Sequence, residues 1–265
     1  MKRRPFPILL TFDLDAESGA LARDPENAQR PITLSIGRYG PDVGVPRILG
    51  VLRELMIPAT FFVPGWVVER YPKAIDAILE AGHELAHHGY DHVPPARMSP
   101  EDEESSLVRG IEVLTKKIGA APQGYRAPSW EFSSLTLPLL VKHGFLYSSN
   151  AMNDDAPFLH RLGARTLAEL PVQWMLDDFP FFGVAPTRSL YGCTPTRAAF
   201  EVWTEELDAL HAEDGKCFAL TMHPQCMGRP SRVRLLRRVI EHASKLDAVE
   251  FLRCRELAER VYAAG

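Results

Sequence analysis

The feature that most restricts this chain is a repeated alternation of short apolar, β-branched runs with amphipathic helical stretches. Residues 8–12 form the first run, and Pro46 opens a helix whose Ile48, Leu49, Leu52, Leu55 and Met56 make one apolar face. Residues 58–63 read as a second strand, residues 72–81 as the next helix and residues 84–86 as a short third strand. Strand, helix, strand, helix, strand implies a parallel sheet covered by helices. The pattern continues with a helix capped by Ser99 that runs to about Lys117, a short strand over residues 122–125 and a helix–strand step from Leu135 to Tyr147. Then come a strand over residues 167–172, a helix over 194–212, a strand over 216–222, a helix over 231–242, a strand near 249–251 and a closing helix.

Several of these strands end on reactive side chains. Asp13 and Asp15 follow the first strand, and alternation lets both point one way while Leu14 packs behind them. Two carboxylates aimed at one spot are costly unless a cation or a shared proton relieves their repulsion. Residues 82–92 carry four histidines, in two pairs at i,i+4 spacing. His83 and His87 flank a buried strand and lie too far apart to share an ion, so they read as structural. His88 and His92 follow that strand, and Gly89 lets the chain curl so that two imidazoles meet as nitrogen ligands for zinc or a similar ion. Arg126, the pair Asp177 and Asp178, and His223 also come just after strands. In a parallel barrel all these ends gather at one face, where such folds keep their sites.

The chain has 265 residues, 46% hydrophobic and 24% charged, which suits one large core and a single domain over 1–265. A net charge of -4 gives no general reason to bind nucleic acid or an anionic membrane. The basic start, Met1 to Pro7, precedes only a brief apolar run, so we expect neither a signal peptide nor a membrane span. Cys193, Cys217, Cys226 and Cys254 are scattered, as suits reduced thiols in the cytoplasm. Residues 18–45 and 148–166 lack steady periodicity and read as long irregular excursions that cap the strand ends.

Taken in order, Thr11-Phe12-Asp13-Leu14-Asp15, His88-x-x-x-His92, Arg126-Ala127-Pro128-Ser129-Trp130, the segment from Trp174 to Asp178 and Leu220-Thr221-Met222-His223-Pro224 resemble the five motifs of the polysaccharide deacetylase superfamily, carbohydrate esterase family four. The likeness extends over nearly the whole chain. It implies an α/β fold, a distorted (β/α)7 TIM-like barrel, and hydrolysis of amide-linked acyl groups with a divalent metal. Carried over by motif, Asp15, His88 and His92 would hold the ion, zinc foremost with cobalt, nickel or manganese as alternatives, and leave positions open for water and substrate. Asp13 would be the general base, His223 the general acid for the leaving nitrogen and Arg126 the partner that orients Asp13. Asp177 or Asp178 would support His223, and Asp178 is taken as the candidate. Tyr90, Pro128, Trp130 and Trp174 are the candidate walls of the substrate pocket, although a core role suits an aromatic equally well.

One departure narrows the family. Leu14 separates two aspartates that are adjacent in most polysaccharide-active members. In this the chain is similar to a branch holding peptidoglycan-deacetylase-like proteins without signal sequences, cyclic imide hydrolases and allantoinase-like proteins. The last of these tend to lose the metal triad, which this chain keeps. The expected partner is therefore a small-molecule or sugar substrate: an N-acetyl sugar or a cyclic imide or ureide. A homo-oligomer, dimer or tetramer, is also expected. The competing readings are an inactive barrel kept as a carbohydrate- or metabolite-binding module and, further off, a metal-storage or structural zinc protein.

Overall fold

In the computed structural model, which describes residues 4–185 and 190–264, the strand β1 (Phe6–Asp13) is the spine of the sheet; the basic start at Met1 to Arg3 lies outside the described residues. The other strands are β2 (Thr60–Val63), β3 (Glu84–His87), β4 (Gly124–Tyr125), β5 (Tyr147–Ser148), β6 (Phe158–Leu162), β7 (Arg165–Glu169), the small hairpin β8 (Val184–Ala185) and β9 (Leu190–Tyr191), β10 (Phe218–Met222) and β11 (Val249–Leu252). Strands run in the order β10-β1-β2-β3-β4-β5-β7, all parallel, with β6 antiparallel on the outer edge of β7. The eight residues of β1 serve two neighbours on one side: Phe6 to Leu9 pair with β11, and Thr11 to Asp13 pair with β2. Where β7 and β10 would have to meet, an irregular segment closes the seam through a parallel bridge from Asp177 to Thr221, and the Asp178 N–H donates to the Thr221 carbonyl at 3.0 Å. The result is the distorted (β/α)7 barrel that the alternation and the motifs predict.

The helices around it are α1 (Ser18–Arg23), α2 (Pro31–Tyr39), α3 (Val45–Leu55), α4 (Gly65–Arg70), α5 (Pro72–Glu80), α6 (Pro100–Ile118), α7 (Thr136–Lys142), α8 (Phe179–Phe182), α9 (Thr196–Ala212), α10 (Pro224–Met227), α11 (Pro230–Ala243) and α12 (Cys254–Ala264). Strand alternation divides the apolar residues into two cores. On β1, Ile8, Leu10 and Phe12 face the helices, while Leu9 joins Phe62, Ala86, Tyr147, Ala168 and Ala219 inside the barrel. From Leu9 the inward set continues as Thr11 and Asp13, and from Ala219 as Thr221 and His223. The parity that fills the barrel thus also aims the polar residues at its carboxyl-terminal mouth. The other end is plugged by α12, whose Cys254, Leu257 and Ala258 enter the inner core.

Two expectations fail. Residues 18–45 are helical almost throughout, not irregular: α1, a 3-10 turn over Pro25–Gln29, α2, and a π-type turn over Gly40–Gly44 that leads into α3. Apolar periodicity misses them because glycines make much of the buried face. A Cβ on Gly37 would lie 2.3 Å from the Ala16 carbonyl oxygen, and one on Gly44 would lie 2.2 Å from that of Pro224. Residues 148–166 include β6, which forms a hairpin with β7 through Gly163 at φ +64. That hairpin is half-exposed at the sheet edge, where His160, Arg161 and Arg165 mask the alternation.

Candidate active site

The end of β1 and the turn after β3 bring Asp15, His88 and His92 together, with one ligand atom of each within 4.8 Å of the other two. Gly89, at φ +73, and His92, at φ +65, provide the expected curl. The two imidazole rings stand 5.0 Å apart at 74°. His88 Nδ1 lies 2.8 Å from the Arg126 carbonyl, which can only accept. The proton therefore sits on Nδ1, and the Nε2 lone pair turns to Asp15, 3.5 Å away. His92 Nε2 is 3.2 Å from the same Asp15 oxygen, yet that buried Oδ1 has no hydrogen-bond partner. Burial works to raise the Asp15 pKa, but His92, His88 and His223 hold it well below the ordinary carboxylate range. An ionised oxygen and two imidazole nitrogens converging without hydrogen bonds among them suit a divalent cation such as zinc.

Asp13 lies beside this trio, its Oδ2 3.9 Å from His88 Nε2. Its Oδ1 accepts from Arg126 Nη1 at 2.8 Å, and the arginine, fully buried, is satisfied on every side. Nη1 also donates to Thr11 Oγ1 at 2.9 Å, Nη2 to Ser149 Oγ at 2.9 Å and Nε to the Ser149 carbonyl at 3.3 Å, and the guanidinium lies 4.0 Å from the centre of the Phe62 ring. Asn150 then accepts from the Ala127 N–H at 2.7 Å, and Glu169 accepts from the Asn150 and Ala151 N–H groups. Ser149 and Asn150 carry no periodic signal in the sequence, because they fall in the stretch 148–166 that lacks steady apolar alternation. Their position directly after β5 was the available signal.

His223 leaves the end of β10 with Nε2 3.7 Å from Asp15 Oδ2. Asp178 holds it at two points, accepting from the backbone N–H at 2.9 Å and facing Nδ1 at 2.7 Å; Asp177 is 3.7 Å from Nδ1. Burial works to lower the His223 pKa, but Asp177 and Asp178 together hold it well above the ordinary imidazole range. Burial pushes Asp177 up to about 7.

Asp13, Asp15, His88, His92, Asp177 and His223 line a cavity of about 220 Å³ together with Ser129, Trp130, Trp174, Phe179, Ala185 and Arg23, while Arg126 and Asp178 stand behind that lining. Ser129 and Trp130 are held at φ +60 and +56, and the Trp130 and Trp174 rings pack 4.6 Å apart. Two expected wall residues are not among the lining. Tyr90 turns instead to α4 and α6, where its hydroxyl donates to Glu69 and Arg109 lies over its ring; Pro128 packs against Gly89. The 18–45 segment does reach the cavity, through Arg23, whereas residues 148–166 contribute no lining side chain. His87 is a core residue, as its spacing predicts: Nδ1 accepts from the Gly89 N–H at 3.0 Å and Nε2 faces the Leu107 carbonyl at 3.1 Å. A larger cavity, about 910 Å³, lies among α3, α5 and His83, near the amino-terminal end of β3.

Residues 28–148 match the family model described as polysaccharide deacetylase. The chain is 32% identical over 280 residues to a peptidoglycan deacetylase of Helicobacter pylori, covering 95% of each. Among solved structures, a protein from Mycobacterium smegmatis assigned as a polysaccharide deacetylase superposes with a TM-score of 0.94 at 41% identity, over 100% of this chain and 95% of that one. The Puue allantoinase superposes with a TM-score of 0.86 at 25% identity, over 97% and 90% of the two chains. With the barrel, the strand-end motifs and a relative matched along nearly its whole length, the chain belongs to the polysaccharide deacetylase family.

Proposed function

We propose that this chain is a metal-dependent hydrolase of non-peptide carbon–nitrogen bonds, with Asp15, His88 and His92 as the ligands of one divalent ion, zinc foremost. The observation that carries the reading is the buried, unpartnered Asp15 Oδ1 facing two imidazole nitrogens. An ion held by Asp15, His88 and His92 would supply Lewis-acid polarisation of the substrate carbonyl and a lowered pKa for the attacking water. Asp13 takes a proton at Oδ2, since Oδ1 is engaged by Arg126. Arg126 offsets the buried charge of Asp13 and fixes the plane of its carboxylate. His223, kept protonated by the carboxylates beside it, delivers a proton from Nε2 to the leaving nitrogen, while Asp178 holds the ring by Nδ1. Trp130, Trp174 and Phe179 exclude water from the reacting carbonyl.

The substrate on this reading is an N-acetyl amino sugar related to peptidoglycan or a cyclic imide or ureide; both present a carbonyl joined to nitrogen. The cavity of about 220 Å³ favours a molecule of about one ring. No helix among the described residues is long and apolar enough to cross a membrane, and the four cysteines are free, which fits the proposed cytoplasmic setting. The test is to purify the protein, measure its metal, and assay N-acetylglucosamine oligomers beside succinimide, hydantoin and allantoin. We expect one ion per chain and turnover of at least one class. Stoichiometric metal with no turnover of any would instead identify a binding module.

A further inference from the structure

The cavity of about 910 Å³ lies at the amino-terminal end of β2 and β3 and, among the described residues, shares no lining side chain with the candidate active site. Two helix ends make it. Helix α3 stops at Met56, held at φ +56, and the turn after α5 passes through Gly82 at φ +79, where the lack of a Cβ permits the left-handed backbone. Leu49, Leu52, Ile57, Pro58 and Ala77 wall the space between them, with Met56 standing 88% exposed beside it. Two polar side chains join these walls. His83 is only 8% exposed; its backbone N–H donates to the Ile78 carbonyl at 3.3 Å and its ring lies 5.7 Å from that of Phe61, yet its buried Nδ1 has no hydrogen-bond partner. Arg253 donates from Nη1 to the Gly82 carbonyl at 3.3 Å, which sets its guanidinium beside His83, and from Nη2 to Glu256, while its buried Nε is likewise unpartnered. Burial and the neighbouring Arg253 hold His83 down to about 4, so the imidazole is neutral in ordinary buffer. Buried polar groups are normally paired, and two left unpaired beside one cavity point to a ligand that pairs them. Arg53 and Glu80, both exposed, complete the rim.

The chemistry of that ligand is constrained from both sides. A guanidinium can only donate, and a neutral imidazole presents its N–H to whichever acceptor it meets, so the ligand must offer two acceptors close together. A carboxylate carries both on one carbon, takes charge-assisted bonds from guanidinium N–H groups, and offsets the positive charge that disfavours a proton on His83. The remaining walls are aliphatic, and a cavity of this size and lining takes an apolar body with few polar atoms. We infer that this cavity is a second ligand site, which binds an aliphatic monocarboxylate with its head on the Arg253 guanidinium and the His83 imidazole and its chain along Leu49, Leu52 and Ile57. The site stands whatever the other cavity hydrolyses, because a carboxylate bound beside Asp15, His88 and His92 would touch none of these residues.

The experiment uses the metal-loaded full chain with methyl-labelled methionine, and sodium octanoate as the probe beside octanamide and acetate. We expect octanoate to shift the Met56 methyl resonance, assigned by Met56→Leu, and the His83 ring resonances in a saturable way, with affinity at least about tenfold above that of octanamide, which lacks the charge, and of acetate, which lacks the chain. Arg253→Gln should bring octanoate down to the level of octanamide. The resonance shifts are read on wild-type protein, so the site is tested even if that variant folds poorly. Saturable octanoate shifts at Met56 and His83 support the proposal whether or not any amide or imide is hydrolysed. Octanoate that leaves both sets of resonances unmoved, that binds there no better than octanamide, or that keeps its full affinity in folded Arg253→Gln protein overturns it.

Discussion

Asp178 holds His223 at two points, one carboxylate oxygen 2.9 Å from its backbone nitrogen and the other 2.7 Å from Nδ1. The first contact fixes where β10 ends, and the second fixes the ring and its tautomer. Asp178→Asn keeps the shape but removes the charge that holds the proton on His223. We expect kcat to fall by roughly 10²- to 10⁴-fold, the range set by a general acid, with bound metal unchanged. Steady-state kinetics with parallel metal analysis checks this.

Arg126 has no exposure at all and shares its charge with Asp13. Removing one partner of a buried pair leaves the other uncompensated. Arg126→Met should therefore lower unfolding stability by about 3–5 kcal/mol and abolish turnover, whereas Asp13→Asn, which keeps a hydrogen bond to Arg126 but not the charge, should cost less stability and abolish turnover while the ion stays bound. Urea unfolding, assayed with activity and metal content, separates the two.

Much of this was legible before any coordinates. A residue's parity along a strand decides whether it faces helix or barrel, so Asp13, Asp15, His88 and His223 could be assigned to one mouth from alternation and strand order alone. What escaped notice depends on contacts that leave no periodic trace. Glycines 37 and 44 hide two helical segments because close backbone approach, not apolar area, buries them. Ser149 holds Arg126 from a stretch with no pattern of its own, and Tyr90 turns away from the cavity because Glu69 and Arg109 give its hydroxyl and ring better partners.

Gly44 offers a direct test of that explanation. Its missing Cβ would meet the carbonyl oxygen of Pro224, the residue after His223. Gly44→Ala should destabilise the protein by about 1–3 kcal/mol and disturb His223, the proposed general acid, as α10 is pushed away. Thermal unfolding and kcat should fall together; a fully active, equally stable variant would refute the packing argument.

At the closed end of the barrel, Glu84 accepts from the Thr60 hydroxyl at 2.9 Å, the Tyr147 hydroxyl at 2.9 Å and the Arg255 N–H at 3.1 Å. Thr60 Oγ1 in turn accepts from the Cys254 N–H at 2.9 Å, so two strands together cap the start of α12. Glu84→Ala strands these donors and should cost about 2–4 kcal/mol, with α12 losing hydrogen-exchange protection before the rest of the fold.

Burial holds His87 down to about 3, while in the unfolded chain it titrates near the ordinary 6.5. The unfolded state therefore binds the extra proton as pH falls, so the stability that neutral His87 contributes is present above about 6.5 and is lost as the pH drops toward 3. Between pH 7.5 and 5 this amounts to about 2 kcal/mol. Comparing urea midpoints of wild type and His87→Gln at the two pH values should show the smaller pH dependence in the variant.

Whether Asp15, His88 and His92 hold one catalytic ion is decided by titrating zinc into chelator-stripped wild-type protein and into Asp15→Ala, His88→Ala and His92→Ala, following heat and regained turnover together. We expect one ion per wild-type chain, activity rising in step with occupancy, and affinity lowered by at least about 100-fold in each variant, beyond what loss of an outer partner costs. Full turnover by the stripped protein, or zinc bound equally well after any of the three substitutions, would contradict that assignment.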